Sequence, residues 1–370
     1  MKNSAVAGII FANFNDDLLK KLTTNRSMAS VPFGARYRLI DFPLSNLVNA
    51  GVTKVGIVTK ENYRSLMDHV GSGIYWDLDR KNGGLYLLPP YITGAKRYSG
   101  TVDALNGIRD YINHCKSEYM VLCNADVLAN VDISAAVKKH IKNEADITLV
   151  YSKGELSEIT GETMLLSLDE NERVTEIGFE LNEGEVNFGI GITIIGRELL
   201  LKMIDKAYDE ELSSFNRDVI AKSVKQLKIY GKLHNEYAAF MNGIDSYHTA
   251  NMDLLKADVR SQVFNKERPV FTKTRDDMPT RYGIDAKVTN CVIGDGCVIN
   301  GTVKNCVLFR GVKVEKGAVV ENSILMQETC VGKDAVLDYV IADKNACIGE
   351  GMTLKGTTEN QFIVNKNQIV

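Results

Sequence analysis

At 370 residues, with 45% apolar and 25% charged side chains, the chain has the make-up of an ordinary soluble globular protein. It has room for one large domain and a smaller one, since single cores rarely grow past about 250 to 300 residues. The formal net charge of -3 lacks the basic footprint of a nucleic-acid binder, and no uninterrupted apolar run suits a membrane span, so neither partner is expected.

Met1-Lys2-Asn3-Ser4 runs straight into a core-like strand without an apolar signal region, so the protein is expected to be cytoplasmic and its seven cysteines reduced. From Ser4 to about Asn251, apolar strand-like runs alternate with longer amphipathic segments, the pattern of an α/β domain on a mostly parallel sheet. Strands are predicted at Val6 to Phe11, Lys54 to Thr59, Tyr119 to Asn124, Asp146 to Tyr151 and Gly189 to Ile195. Ligands of such sheets bind beyond the carboxyl ends of the strands, so the loops after Ala12 and Asn124 are expected to line a site. Ser261 to Tyr282 is polar, contains Pro269 and Pro279, and reads as an ordered crossing segment.

After about Asp285 the texture changes to apolar positions spaced about six residues apart and separated by Gly-Asp, Gly-Lys or Gly-Glu turns, as in Val292-Ile293-Gly294-Asp295-Gly296 and Val331-Gly332-Lys333-Asp334-Ala335. Hexapeptide periodicity of this kind builds a parallel β-helix. The count suggests only a few coils, and Asn305 to Arg310 reads as an interruption of the stack. Cys291, Cys297, Cys306, Cys330 and Cys347 are expected to face inward as small apolar side chains. The expected division is a 1-255 α/β domain, a 256-284 linker and a 285-370 β-helix. A short β-helix leaves faces that favour association.

The N-terminal residues carry a resemblance. Val6 to Ala12, Leu22-Thr23 and the block Val31-Pro32-Phe33-Gly34 through Asp41-Phe42-Pro43-Leu44-Ser45-Asn46 resemble the opening of bacterial ADP-glucose pyrophosphorylase (glucose-1-phosphate adenylyltransferase). The resemblance covers nearly the whole chain and implies a Rossmann-like nucleotidyltransferase domain followed by a left-handed β-helix. In that family a Gly-Gly-x-Gly-Ser/Thr-Arg loop and a later lysine hold the triphosphate. Here Asn13, Phe14 and Asp16 stand where the glycines belong, Leu18 replaces the arginine and Met28 the lysine. Glycines let backbone amides approach phosphate closely and a cation neutralises the departing pyrophosphate. Asp16 and Asp17 beside three phosphates repel instead.

Other family positions are mixed. The two aspartates that hold Mg2+ correspond to Asp126, in Leu122-Cys123-Asn124-Ala125-Asp126, and Asp218, in Phe215-Asn216-Arg217-Asp218. Magnesium takes one or two carboxylates plus substrate oxygens, so this pair would suffice only with a nucleotide present. Gly100, Thr101 and Asp103 match the Gly-Thr-Ala-Asp-Ala segment near the nucleotide base. The lysine that pairs with the sugar phosphate has become Glu180, and the next sugar-site segment reads Val186-Asn187-Phe188. An acidic residue of the family is lost at Phe240. Arg36, Arg38 and Asp41 are read as loop anchors, with an arginine contact to an anionic effector as the alternative.

Loss of the phosphate loop, its cations and the sugar lysine in an otherwise whole chain matches the non-catalytic, D-type subunits of this family in Gram-positive bacteria. The resemblance thus implies a regulatory subunit in glycogen synthesis, assembled with a catalytic paralogue in a homo- or heterotetramer, with a sugar phosphate or nucleotide as ligand. Two alternatives stay open: a weakly active stand-alone adenylyltransferase, and a sensor without a catalytic partner. An acyltransferase using the β-helix needs a histidine on or near the coils, and no histidine follows His248.

Overall fold

The computed structural model describes residues 5–12, 14–90, 100–155, 163–180 and 184–370. They form two compact units, one of Met1–Phe14, Ile40–Ala238 and Asn265–Phe271, the other of Asn15–Leu39, Ala239–Phe264 and Thr272–Val370. The chain therefore passes from one unit to the other just after Phe14, within the segment that replaces the glycine loop.

The first unit is built on a nine-stranded sheet: β1 Val6–Phe11, β2 Lys54–Val58, β3 Gly84–Leu88, β4 Tyr119–Asn124, β5 Ile147–Gly154, β6 Leu165–Leu168, β7 Val174–Gly178, β8 Val186–Gly196 and β9 Ile229–Leu233. Its order is β7-β6-β8-β4-β1-β2-β3, with β5 paired to β8 and β9. All five predicted strands are present. The pairs β4-β1, β1-β2, β2-β3 and β5-β9 are parallel, whereas β8 runs antiparallel to β4 and β5, and β6 to β7. The central strand β1, Val-Ala-Gly-Ile-Ile-Phe, is buried at every position after the first, as a strand covered on both faces must be. In register, Phe11 at its carboxyl end lies beside Asn124 at the end of β4, which brings the two expected loops together.

Helix Ile133–Lys142 covers one face of this sheet. Asp132 caps it, accepting from the Ala135 amide at 2.8 Å, and Lys139 and Lys142 occupy the last turn, where the dipole favours cations. Ile133, Ala136, Val137 and His140 form its buried stripe. His140 is 2% exposed, and its Nδ1 meets Thr148 Oγ1 at 2.9 Å. Burial pushes the imidazole down to about 4, against a smaller upward pull from Asp146. The unfolded chain takes up the proton first, so stability present above about pH 6.5 falls as the pH drops toward 4. Replacing His140 with Gln should flatten this loss, by about 2 kcal/mol after allowing for solvent screening, in urea midpoints compared across that range. An unchanged slope would reject the assignment.

Segment Asn265–Phe271 is strapped to the first unit: Asn49 Nδ2 and Asn130 Nδ2 donate to the Pro269 and Arg268 carbonyls, and the Phe271 amide donates to Ser45 Oγ. From Thr272 onward the chain belongs to the second unit.

There the hexapeptide repeats close into a left-handed β-helix of three parallel sheets, each of five strands in unbroken register. The expected interruption at Asn305 to Arg310 is absent. Asn305 is a left-handed corner (φ 51), and Val307–Leu308 pairs with Val292–Ile293 on one side and Ile324–Leu325 on the other. Asn290, Asn305 and Asn322 all take this positive φ, which Asn tolerates better than most residues. Their side-chain amides bond in a ladder that ends on Asp338 Oδ1, with steps of 2.8, 3.3 and 2.9 Å. An irregular-looking repeat is thus a corner whose polar side chains satisfy one another. Inward positions such as Ile299, Val303, Leu308, Val320 and Leu337 make a sealed core. The cysteine expectation holds for Cys297 and Cys306, which are buried, and for Cys291, which is partly buried against the same core; Cys330 and Cys347 are partly exposed on the outer face. Among the described residues no helix is long and apolar enough to cross a membrane.

Candidate functional site

In the first unit the turn that carries Asp126 follows the carboxyl end of β4, beside that of β1. The Ala125 amide donates to the Phe11 carbonyl at 3.1 Å, holding the Asn124–Asp126 turn against the end of β1. Gly191 in β8 has φ +69, and a Cβ there would stand 2.9 Å from the Asn124 side chain, so only glycine lets the strand pass this turn. Asn13 lies outside the described residues. Phe14 turns its ring onto Phe11, with centroids 5.9 Å apart, and packs on the main core. An aromatic anchor therefore stands where the resemblance places glycine.

Two segments distant in sequence meet at Gly100 and Ser213. Gly100 lies so close to Ser213 that a Cβ would sit 2.3 Å from the Ser213 carbonyl oxygen. The Val102 amide donates to that oxygen at 3.0 Å, and the Phe215 amide donates to Thr101 Oγ1 at 2.7 Å. Asp103 is half-buried one turn into the helix Thr101–Gly107 that follows. Asp218 accepts from the Ser214 amide at 3.0 Å while Ser214 Oγ accepts from the Arg217 amide at 3.1 Å, a reciprocal cap on the π-helical turn Phe215–Ile220. Its other oxygen is 3.7 Å from Lys222 Nζ. Asp218 thus has a structural task that would not require a metal.

Of the sugar-side positions, Glu180 follows β7 and Asn187 lies in β8. Asn187 Nδ2 donates to the Leu166 carbonyl at 3.1 Å, tying β8 to β6. Glu180 is exposed. Arg217 lies over the ring of Phe179, 4.9 Å from its centroid, so a cation does stand beside the segment whose lysine is lost. The sequence reading passed over Arg217; its signal was that it fills the family's lysine position immediately before Asp218.

The remaining degenerate positions belong to the second unit. Asp16–Thr23 is a 3-10 segment, kinked at Lys20, whose Leu19 and Leu22 are buried and whose Leu18 is half-buried. Thr23 Oγ1 donates to the carbonyls of Asp16 and Lys20. Asp16 Oδ1 accepts from the Met28 amide at 2.6 Å, and Met28 is 2% exposed. The carboxylate at a glycine position thus accepts from the backbone of the residue at the lysine position.

A cationic cluster in the same unit was not foreseen. Arg26 and Asp343 form a buried ion pair, and Asp343 Oδ1 also accepts from the Lys344 amide at 2.7 Å. Burial, then the charges of Arg38 and Arg26, push the Lys344 ammonium down to about 7, while Asp343 opposes them and Lys366 adds to the repulsion. Lys344 thus has three other cations within electrostatic reach, against the one carboxylate of Asp343. The signal available in sequence was the Asp343-Lys344-Asn345 run, which is polar where the hexapeptide pattern passes from one strand to the next. Arg36 is 3.6 Å from Asp295, both about half exposed. Asp41 starts the helix Asp41–Asn49 and meets His69 Nε2 at 2.6 Å, both buried.

A nucleotidyl transferase family model matches residues 8–175, and a GlmU-like C-terminal hexapeptide model matches 277–370. Curated relatives extend over nearly all of the chain. It is 40% identical to the glycogen biosynthesis protein GlgD of Geobacillus stearothermophilus, over 99% of this chain and 98% of that one. The chain belongs to the bacterial glucose-1-phosphate adenylyltransferase family. Bacillus subtilis GlgD is 33% identical over 86% of this chain and 83% of its own. The glucose-1-phosphate adenylyltransferase of G. stearothermophilus is 32% identical over 86% and 84%.

For this family Mg2+ is the implied metal. Among the described residues no three His, Cys, Asp or Glu side chains come together as a metal-binding group. Asp126 and Asp218 therefore fit Mg2+ only where nucleotide phosphates supply the remaining ligands, and Asp218 would have to share its carboxylate with its own cap.

Proposed function

We propose that this chain is a regulatory, catalytically impaired subunit of ADP-glucose pyrophosphorylase in glycogen biosynthesis, assembling with a catalytic paralogue in a tetramer. The observation that carries this reading is the bond between Asp16 and Met28. Adenylyl transfer from ATP to glucose-1-phosphate needs cations preorganised on the triphosphate. Here an acid and an apolar side chain occupy those positions, and the acid is bonded to the Met28 backbone amide rather than turned to a phosphate. Phe14 packed on Phe11 and the exposed carboxylate of Glu180 support the same conclusion.

Regulation then acts through subunit contacts that shift the partner's conformational equilibrium, which needs a differential interaction with its active and inactive states. The Arg26, Arg38, Lys344 and Lys366 cluster supports a phosphorylated effector. An anion beside Lys344 would draw a proton back onto its depressed ammonium, so effector binding should be accompanied by proton uptake near neutral pH. The second reading, a weakly active stand-alone adenylyltransferase, is favoured by the retention of Asp126, just after the end of β4, and of Asp218, in the turn whose Phe215 is bonded to Thr101.

The test is ADP-glucose formation from ATP, glucose-1-phosphate and Mg2+, with the chain alone and then titrated into a catalytic paralogue of the same organism. Near-zero turnover alone with a saturable change in the partner's rate or effector response is expected. Substantial turnover alone would establish the second reading, and a partner indifferent to the chain would remove the first.

A further inference from the structure

Outward-facing cysteines are stacked on consecutive coils of the β-helix. Cys330 and Cys347 are register partners in adjacent parallel strands, Cys330–Val331 and Cys347–Ile348. Val331 and Ile348 are buried, so by the alternation of a strand the two thiols stand on the outer face, one directly above the other. Both are partly exposed. Neighbouring strands lie ~4.8 Å apart, and disulfides join Cα atoms about 4.4 to 6.8 Å apart, so the register itself places the pair within bonding range. Cys330 has Lys313 as its other register neighbour. That ammonium favours the thiolate, against the burial that pushes the thiol up. Above Cys347 the ladder ends at Ile369, through an isolated bridge that leaves the isoleucine largely exposed.

A second pair differs in one respect. Cys291 and Cys306 are also stacked, next to the Asn290–Asn305 amide bond, but Cys306 is fully buried. An oxidant or reductant in solution meets both members only at 330 and 347.

We propose that Cys330 and Cys347 form a reversible disulfide between consecutive coils, with a peroxide as the oxidant. One thiolate attacks the peroxide O–O bond; an S–O bond forms, hydroxide leaves, and the sulfur becomes a sulfenic acid. The neighbouring thiolate attacks that sulfur, an S–S bond forms, the S–O bond breaks and water leaves. Two thiols lose two electrons and two protons, and the peroxide is reduced to two waters. A dithiol returns the pair to its reduced form by exchange.

The bond would span the turn that carries Asp343 and Lys344, since both lie between the two cysteines in sequence. It would therefore restrain the coil on which Arg26 docks and from which part of the cationic cluster is built. This makes the pair a modification site that stiffens the coil carrying Asp343 and Lys344.

The full-length chain, treated with hydrogen peroxide, alkylated and digested, should yield Cys330 and Cys347 peptides joined and lighter by two hydrogens, with the link lost on dithiothreitol. Urea unfolding of the oxidised chain should shift to a higher midpoint, a shift that Cys330→Ser abolishes. In Cys330→Ser the remaining Cys347 should be trapped by dimedone as a sulfenic acid, or overoxidised, with no link. Full alkylation of both cysteines after peroxide would overturn the proposal. So would a midpoint shift that persists in Cys330→Ser/Cys347→Ser, or a link confined to Cys291 and Cys306.

Discussion

Asp343→Ala should lower the unfolding free energy by about 3 to 5 kcal/mol, the range found when one partner of a buried ion pair is removed. Arg26 and Asp343 are only 4% and 2% exposed. Arg26 Nη1 already lacks a hydrogen-bond partner, so the Asp343 carboxylate bonded to Nη2 is the group that compensates the buried guanidinium. Its loss would also strip the Lys344 amide of its acceptor and remove the one negative charge that favours the Lys344 ammonium. The measurement is urea unfolding followed by far-ultraviolet circular dichroism. Arg26→Met with Asp343→Leu, which removes both charges and keeps apolar volume, should cost far less than the single substitution. A loss under about 1 kcal/mol for Asp343→Ala would mean that water or another group reaches Arg26 easily, and the pair would no longer count as what fixes the 15–39 segment onto the β-helix.

Turnover should stay low even after the most obvious repairs. Each charge-assisted phosphate contact contributes about 1.5 to 3 kcal/mol, so the cations missing at Leu18, Met28 and Glu180 together account for roughly a thousandfold loss or more. Leu18→Arg with Glu180→Lys restores two of the three. It leaves the Asp16 carboxylate on the Met28 amide and the Phe14 ring on Phe11. The double variant is therefore expected to remain at least about a hundredfold slower than a catalytic relative in ADP-glucose formation. Adding Met28→Lys and Asp16→Gly should raise the rate further, with some loss of stability because position 28 is buried. Recovery to within about tenfold of a catalytic relative by the double variant alone would show that the remaining positions are competent and that the loss lies in two side chains.

Much of this molecule was legible in the linear order of residues. The run Val6 to Phe11 and its four companion strands were readable because buried parallel strands leave continuous apolar stretches with no competing helical period. The β-helix was readable because every coil repeats the same chemistry, and the family because Pro32 to Asn46 and the hexapeptides stand in its order. The substitutions at Phe14, Asp16, Leu18, Met28 and Glu180 were equally visible, since a missing glycine or cation is a property of the residue itself.

What those residues do instead was settled by the tertiary structure. Nothing in the spacing of Asp16 and Met28 says that one caps the other, because a 3-10 segment kinked at Lys20 brings them together. The same holds for Thr101 with Phe215 and for Arg26 with Asp343, pairs far apart in sequence whose partners are chosen by packing. The repeat count underestimated the coils because a corner built on a left-handed asparagine breaks the apolar period without breaking the ladder. The cysteines divided between core and surface for a similar reason: whether a position faces in or out depends on where each short strand begins, and a one-residue shift at a corner reverses it. Composition and pattern determined the elements and the family; the register and the long-range contacts, which no local propensity specifies, decided which side chains became partners.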